Sequence, residues 1–280
     1  MRTRMTDVSG SGNSERAMFD RAMRDTEKTF CVCYGALTVD RGHDRGRVGQ
    51  LMRVVASVTV VVAFFCLLLG AASNSRAAQA SVQGVAINLP VPAEFCELTS
   101  ANPTDKRMLD TLGDAVAKSR GNVLLAMAAD CQQLADWRAG RRLLGDYGQY
   151  QAPPNAAANE ETFKETCAAL RTQGGQTLSN VKKDLKARME EAVRQTKVND
   201  QRLVGFLGED PMACYVALVQ KLKAEDGTEV TQLAVLAITS VRDRFLFVNR
   251  YAPYVNADTV GDTLEKLKAT IAALQAANRG

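Results

Sequence analysis

Between Ala213 and Tyr251 the chain reads ACYVALVQKLKAEDGTEVTQLAVLAITSVRDRFLFVNRY. This stretch constrains the fold more than any other. Three long runs dense in Val, Ile, Leu, Phe and Tyr are separated by short polar breaks, the pattern of an antiparallel meander. Asp226–Gly227 is a strong two-residue hairpin signal, because a type I′ turn needs positive φ at both central residues. Arg242–Asp243 marks a second, weaker turn. RLVGFLG, from Arg202 to Gly208, supplies a fourth strand ahead of the meander. Behind it, Val260, Leu264, Leu267, Ile271 and Leu274 recur at spacings of four and three, which predicts a closing amphipathic helix.

Upstream, Val85, Ile87 and Leu89 alternate, and Pro90 and Pro92 forbid a helix there. In TDKRMLDTLGDAVAK, Thr104 can cap a helix whose stripe is Met108, Leu109, Leu112, Ala115 and Val116. Val123–Ala129 is apolar throughout and reads as a strand buried on both faces. A short helix to Gly140 and an extended segment before Pro153–Pro154 follow. Residues 159–196 are helical around Gly174–Gly175. There Leu178, Val181, Leu185 and Met189 form a narrow stripe amid mixed charge, which suits a solvated helix lying on a sheet by one face. The expected architecture is a single α+β domain over residues 82–277, a largely antiparallel sheet of four to six strands ending in a meander, with helices packed on it.

In element order this body resembles the PsbP-like α/β sandwich proteins. The matching features are the opening AINLPVPAEF, the long hairpin meander, and YAPY followed by a C-terminal helix. The resemblance implies a non-catalytic accessory protein that binds partners, and it carries over no individual functional residue.

Ahead of the body lies MRVVASVTVVVAFFCLLLGAASNSRAAQA, Met52 to Ala80. Residues 54–72 carry no charge, Arg53 precedes them, and Ala78-Gln79-Ala80 ends the stretch as a small-x-small site. This is the order of a signal peptide, cut between Ala80 and Ser81. The same run is long enough to serve instead as a membrane anchor with its N-terminus in the cytoplasm, and membrane contact through residues 54–72 follows only if it stays uncleaved. Residues 1–51 have the composition of a disordered extension, and Met52 could itself be the true start. Both routes deliver the body across a membrane, and the reading is a bacterial periplasmic protein.

Charge and histidine distribution exclude several chemistries. Residues 1–80 hold 11 of the 35 Lys+Arg and 7 of the 31 Asp+Glu, which leaves 24 of each for the body. A neutral body argues against nucleic acid as a partner, since such binding needs surplus Lys/Arg. The single histidine, His43, is in the leader. The body therefore lacks Ser-His-Asp and Cys-His catalysis and histidine-ligated metals. No metal, cofactor or catalytic residue is assigned, and the expected partner is another envelope protein. The body cysteines Cys96, Cys131, Cys167 and Cys214 are disulfide candidates in an oxidising compartment. Three connectivities are open, of which pairing of sequence neighbours gives Cys96–Cys131 and Cys167–Cys214.

Two sets of side chains are binding candidates. Trp137, Tyr147, Tyr251 and Tyr254 combine apolar bodies with polar tips, whereas Tyr147 and Tyr150, three apart, cannot share one strand face. Arg138, Arg141 and Arg142 could grip an anion or simply cap a helix. Asp130, Asp136 and Asp146 could serve as acid/base carboxylates if they converged, and a small-molecule binding protein or a carboxylate hydrolase are the alternative functions.

Overall fold

The computed structural model describes residues 78–173, 181–198, 200–223 and 227–279. The apolar run at 54–72, residues 1–51 and Gly174–Gly175 lie outside the described residues. No helix among the described residues is long and apolar enough to cross a membrane.

Every pair of neighbouring strands among the described residues is antiparallel, and a single isolated bridge, Val198–Lys221, is parallel. A hairpin of β1 (Ala78–Val82) and β2 (Val85–Leu89) stands apart from a seven-stranded sheet. The sheet consists of β3 (Phe95–Glu97), β4 (Val123–Asp130), β5 (Tyr147–Ala152), β6 (Asp200–Glu209), β7 (Ala213–Lys223), β8 (Glu229–Val241) and β9 (Arg244–Pro253). Its spatial order is β3-β4-β5-β9-β8-β7-β6. The helices are α1 (Pro103–Arg120), α2 (Cys131–Arg138), α3 (Glu160–Gln173), α4 (Val181–Gln195) and α5 (Asp258–Ala277). The α+β class and the four-strand meander match the sequence expectation. The sheet is larger than the expected four to six strands, because the three-residue β3 is too short to leave a periodic trace.

The two faces of the sheet bury separate cores. On one, Tyr215, Ala217, Val219, Val235 and Val248 pack against Leu185, Met189 and Ala192 of α4, against Val260, Leu267, Ile271 and Leu274 of α5, and against the β1–β2 hairpin. On the other, Phe206, Val216, Leu218, Ala234 and Ile238 pack against Met108 and Leu112 of α1, Leu134 of α2, and Cys167 and Leu170 of α3. Alternation sends even and odd residues of one strand to opposite layers, so the central strands are apolar on both faces and covered on both. The charged helix α4 thus lies on the sheet by Leu185 and Met189.

Three local expectations are corrected. The β7–β8 connection is no two-residue turn: Lys223 pairs with Glu229, leaving five residues between them, with Gly227 at φ 86°. The buried rungs Leu218–Ala234 and Val219–Leu233 mark the register there, and a one-residue slip would exchange the side chains that face the two cores. The expected turn at Arg242–Asp243 is the tight one, at φ 49° and 57°, between the paired Val241 and Arg244. The cap of α1 is Asn102, whose Oδ1 accepts from the Thr104 and Asp105 amides, with Pro103 in the first helical turn where no amide donor is needed. Finally, Val123 is 56% exposed rather than buried on both faces. The reason is that β3 pairs only with Ala128–Asp130, so the first half of β4 is a sheet edge.

Two disulfides close within the body. Cys96–Cys131 joins β3 to the first turn of α2, with the Cα atoms 4.9 Å apart. Cys167–Cys214 ties α3 to β7 across the second core, with Cα atoms 5.7 Å apart. Of the three possible connectivities, the structure has the sequence-neighbour one. Disulfides of this kind persist in oxidising compartments and place the body in an extracytoplasmic setting.

Candidate binding groove

The segment Pro90–Glu94 leaves β2 as an arch that two prolines hold extended. Tyr150 fastens its start, donating its hydroxyl to the Pro90 carbonyl at 2.5 Å, and the Phe95 amide closes a turn on Pro92 O. Burial pushes the Tyr150 hydroxyl well above its ordinary range, so it stays a donor. Opposite the arch runs the outer side of α5, with Lys266, Ala269, Thr270 and Ala273. Between them lies an open, mainly apolar groove of about 220 Å³. A second hollow of about 20 Å³, the size of one water, continues from Pro92 and Thr270 toward Gly148 and Arg250.

Arg250 is the charged group of this region. Strand alternation places it on the core face with Val248, and its side chain is 4% exposed. Its guanidinium lies over the Phe95 ring at 4.3 Å and reaches Asp146 at 3.3 Å and Glu94 at 3.5 Å. Asp146 is positioned by the loop before β5, where Gln133 Oε1 accepts both the Gly145 and Asp146 amides. Burial raises the Asp146 carboxyl above the ordinary aspartate range, Arg250 and then Lys266 hold it down, and Asp130 adds a further upward push. Replacing Arg250 with Met should therefore move the Asp146 titration still higher. A carboxyl-resolved NMR titration reads this directly, and an unchanged midpoint would show that the pair does not interact. The sign for stability also follows. A carboxyl whose folded pKa lies above its unfolded value favours folding at low pH and loses that contribution as pH rises through the folded value.

The side chains chosen from sequence are distributed differently. Tyr147 and Tyr251 stack at 4.4 Å with planes 15° apart, buried on the face opposite the groove. Tyr147 also donates to Gln232 Oε1 at 3.3 Å. Trp137 packs partly buried against that same cluster. Tyr254 belongs to the other core, where burial and then Glu190 raise its hydroxyl, so the aromatic set is split between two layers. Arg138 forks onto the buried Asp105, with Nε to Oδ1 at 2.8 Å and Nη2 to Oδ2 at 2.5 Å. Arg141 forks onto Asp136, whose carboxyl it lowers, and Arg142 is exposed. Two of the three arginines are thus occupied by carboxylates of the chain itself. Asp130 and Asp146 are neighbours, with the Asp130 amide bonded to Asp146 O at 3.0 Å, while Asp136 stands apart on Arg141. No cluster of metal-ligating side chains occurs among the described residues. Arg250, Glu94 and Lys266 escaped the sequence reading. The available signal was a basic residue at the core parity of LFVNRY, where Leu246, Val248 and Arg250 share one face.

Comparison with known proteins adds one remote likeness. No family model matches the chain, and no curated protein matches it. Among solved structures, the Ran-binding protein Mog1p of Saccharomyces cerevisiae is similar at 8% identity and a TM-score of 0.25, over 69% of this chain and 82% of that one.

Proposed function

We propose that this is a periplasmic accessory protein, exported by its leader, that works by binding another envelope protein. The observation that supports it most is the pair of disulfides closed inside a histidine-free body. The resemblance to PsbP-like accessory proteins points the same way. The groove supports binding of a protein side chain over enclosure of a metabolite, because small-molecule pockets run to roughly 300–1,000 Å³ and bury most of their ligand. This one is about 220 Å³ and open along α5. Its rim offers Lys266 on one wall and Glu94 on the other, so a partner can be oriented by charge at both ends.

Two measurements on the full chain in living cells test this. Thiol alkylation without reductant should leave all four body cysteines unlabelled, and reactive body thiols in the native protein would refute export. A photo-crosslinking residue at exposed Ala269 should give a discrete adduct that the same residue at Glu165, on the opposite layer, does not. Equal or absent adducts from both positions would refute the groove as the binding surface.

A further inference from the structure

The sequence Ala78-Gln79-Ala80 has two physical readings, and the fold separates them. Small-x-small is the pattern signal peptidase cuts. It is also the in-out alternation of a strand with small inward side chains. In the structure it is the first half of β1. Ala78 and Ala80 face the core, and Gln79 points outward to Asn88, Nε2 to Oδ1 at 3.4 Å. The β1–β2 register has five rungs: Ala78–Leu89, Gln79–Asn88, Ala80–Ile87, Ser81–Ala86 and Val82–Val85. A cut between Ala80 and Ser81 would remove the first three and leave only the two next to the turn. Ile87 and Leu89, both 0% exposed, would lose their cross-strand partners and the main-chain pairing along that edge of β2.

The hairpin is also built into the closure of the domain. The Asn88 amide donates to Asn278 Oδ1 at 2.8 Å, and Asn278 Nδ2 donates back to Asn88 O at 2.8 Å. Arg242 Nη1 donates to Ala86 O at 3.0 Å. β2 therefore meets the end of α5 and the β8–β9 turn, and β1 completes its other edge. Three residues upstream, Ser75-Arg76-Ala77 is a second small-x-small site, and it lies directly ahead of the first described residue of β1.

We infer that the leader is removed between Ala77 and Ala78, so that the mature domain keeps all five rungs of the β1–β2 hairpin. This rests on the export reading above. The enzyme hydrolyses one peptide bond with water, and the chain supplies the small side chains its pockets require.

The test is the N-terminus of the protein recovered from the exported fraction of cells expressing the full chain, read by intact mass. It is repeated for Ala77→Leu and Ala80→Leu. Peptidase acts on the chain before it folds, so the readout does not depend on whether a variant is stable. The expected mature protein starts at Ala78, three residues longer than one starting at Ser81. Ala77→Leu should abolish that species, and Ala80→Leu should retain it. A start at Ser81, or loss of processing in Ala80→Leu with none in Ala77→Leu, overturns the inference and leaves export standing. An unprocessed membrane-bound species overturns it in favour of the anchor. An unprocessed chain with reduced cysteines in the cytoplasm overturns the export reading itself.

Discussion

Removing the Cys167–Cys214 bridge by the double change Cys167→Ala/Cys214→Ala should lower the stability of the body by about 4 kcal/mol. The bridge closes a sequence separation of 47 residues, and the chain-entropy relation for a loop of that length gives about 4 kcal/mol at 25 °C. That is a large share of the roughly 5–15 kcal/mol by which a domain is usually stable. The bridge also holds α3 to β7, and Cys214 is 0% exposed with Cys167 at 4%. Its loss therefore loosens a helix as well as enlarging the unfolded ensemble. Denaturant unfolding of wild type and double variant checks it, and coincident midpoints would show that the bridge adds nothing. The Cys96–Cys131 bridge spans 35 residues and is worth nearly as much by the same relation. Its Cys96 is exposed, however. Graded reduction under native conditions should open it first, leaving Cys167–Cys214 closed until the body unfolds.

The second large effect is expected at Asp105. This carboxylate is completely buried, yet it is fully used: it accepts from Arg138 Nε and Nη2 and from the Thr99 amide at 3.0 Å. It thereby joins the loop after β3, the first turn of α1, and α2. Asp105→Ala should cost about 2–3 kcal/mol, the range for hydrogen bonds to charged groups, reduced because Arg138 is one-third exposed and can rehydrate. Arg138→Ala should cost as much or more, because it leaves the buried carboxylate without its counter-charge. The double variant should cost clearly less than the two single changes together. Strict additivity in thermal unfolding would mean the two side chains do not act as a pair.

The contrast between α5 and Arg250 shows what the sequence could reveal. Val260, Leu267, Ile271 and Leu274 form a periodic stripe, and periodicity survives in sequence because one face of a regular element meets one core. The meander was legible for the same reason. The fork of Arg138 onto Asp105 crosses 33 residues, and that of Arg250 onto Asp146 crosses 104. No local pattern encodes such a pairing, so an anion site and ordinary capping or surface charge both stayed open for the three arginines near a glycine, two of which have partners within the chain. Tyr147 and Tyr251 illustrate the intermediate case. Strand parity correctly separates Tyr147 from Tyr150, but only the β5–β9 register brings Tyr147 opposite Tyr251. The hairpin of β1 was hidden by its own composition, since alanines that line a strand are the same alanines a peptidase accepts.

The position of β9 has a consequence for how the body must be made. It is the last strand in the chain, yet it is the fourth of seven in the sheet, paired on one side with β5 and on the other with β8. Until it arrives, the β3–β4–β5 group and the β6–β7–β8 group each present an unsatisfied edge, and neither can close its core. Assembly is thus committed late and all at once, with contacts far apart in sequence, which makes for slow folding. A nascent chain of this design stays open until β9, Arg244–Pro253, has been made. In that interval it is exposed to sticking edge to edge with its neighbours.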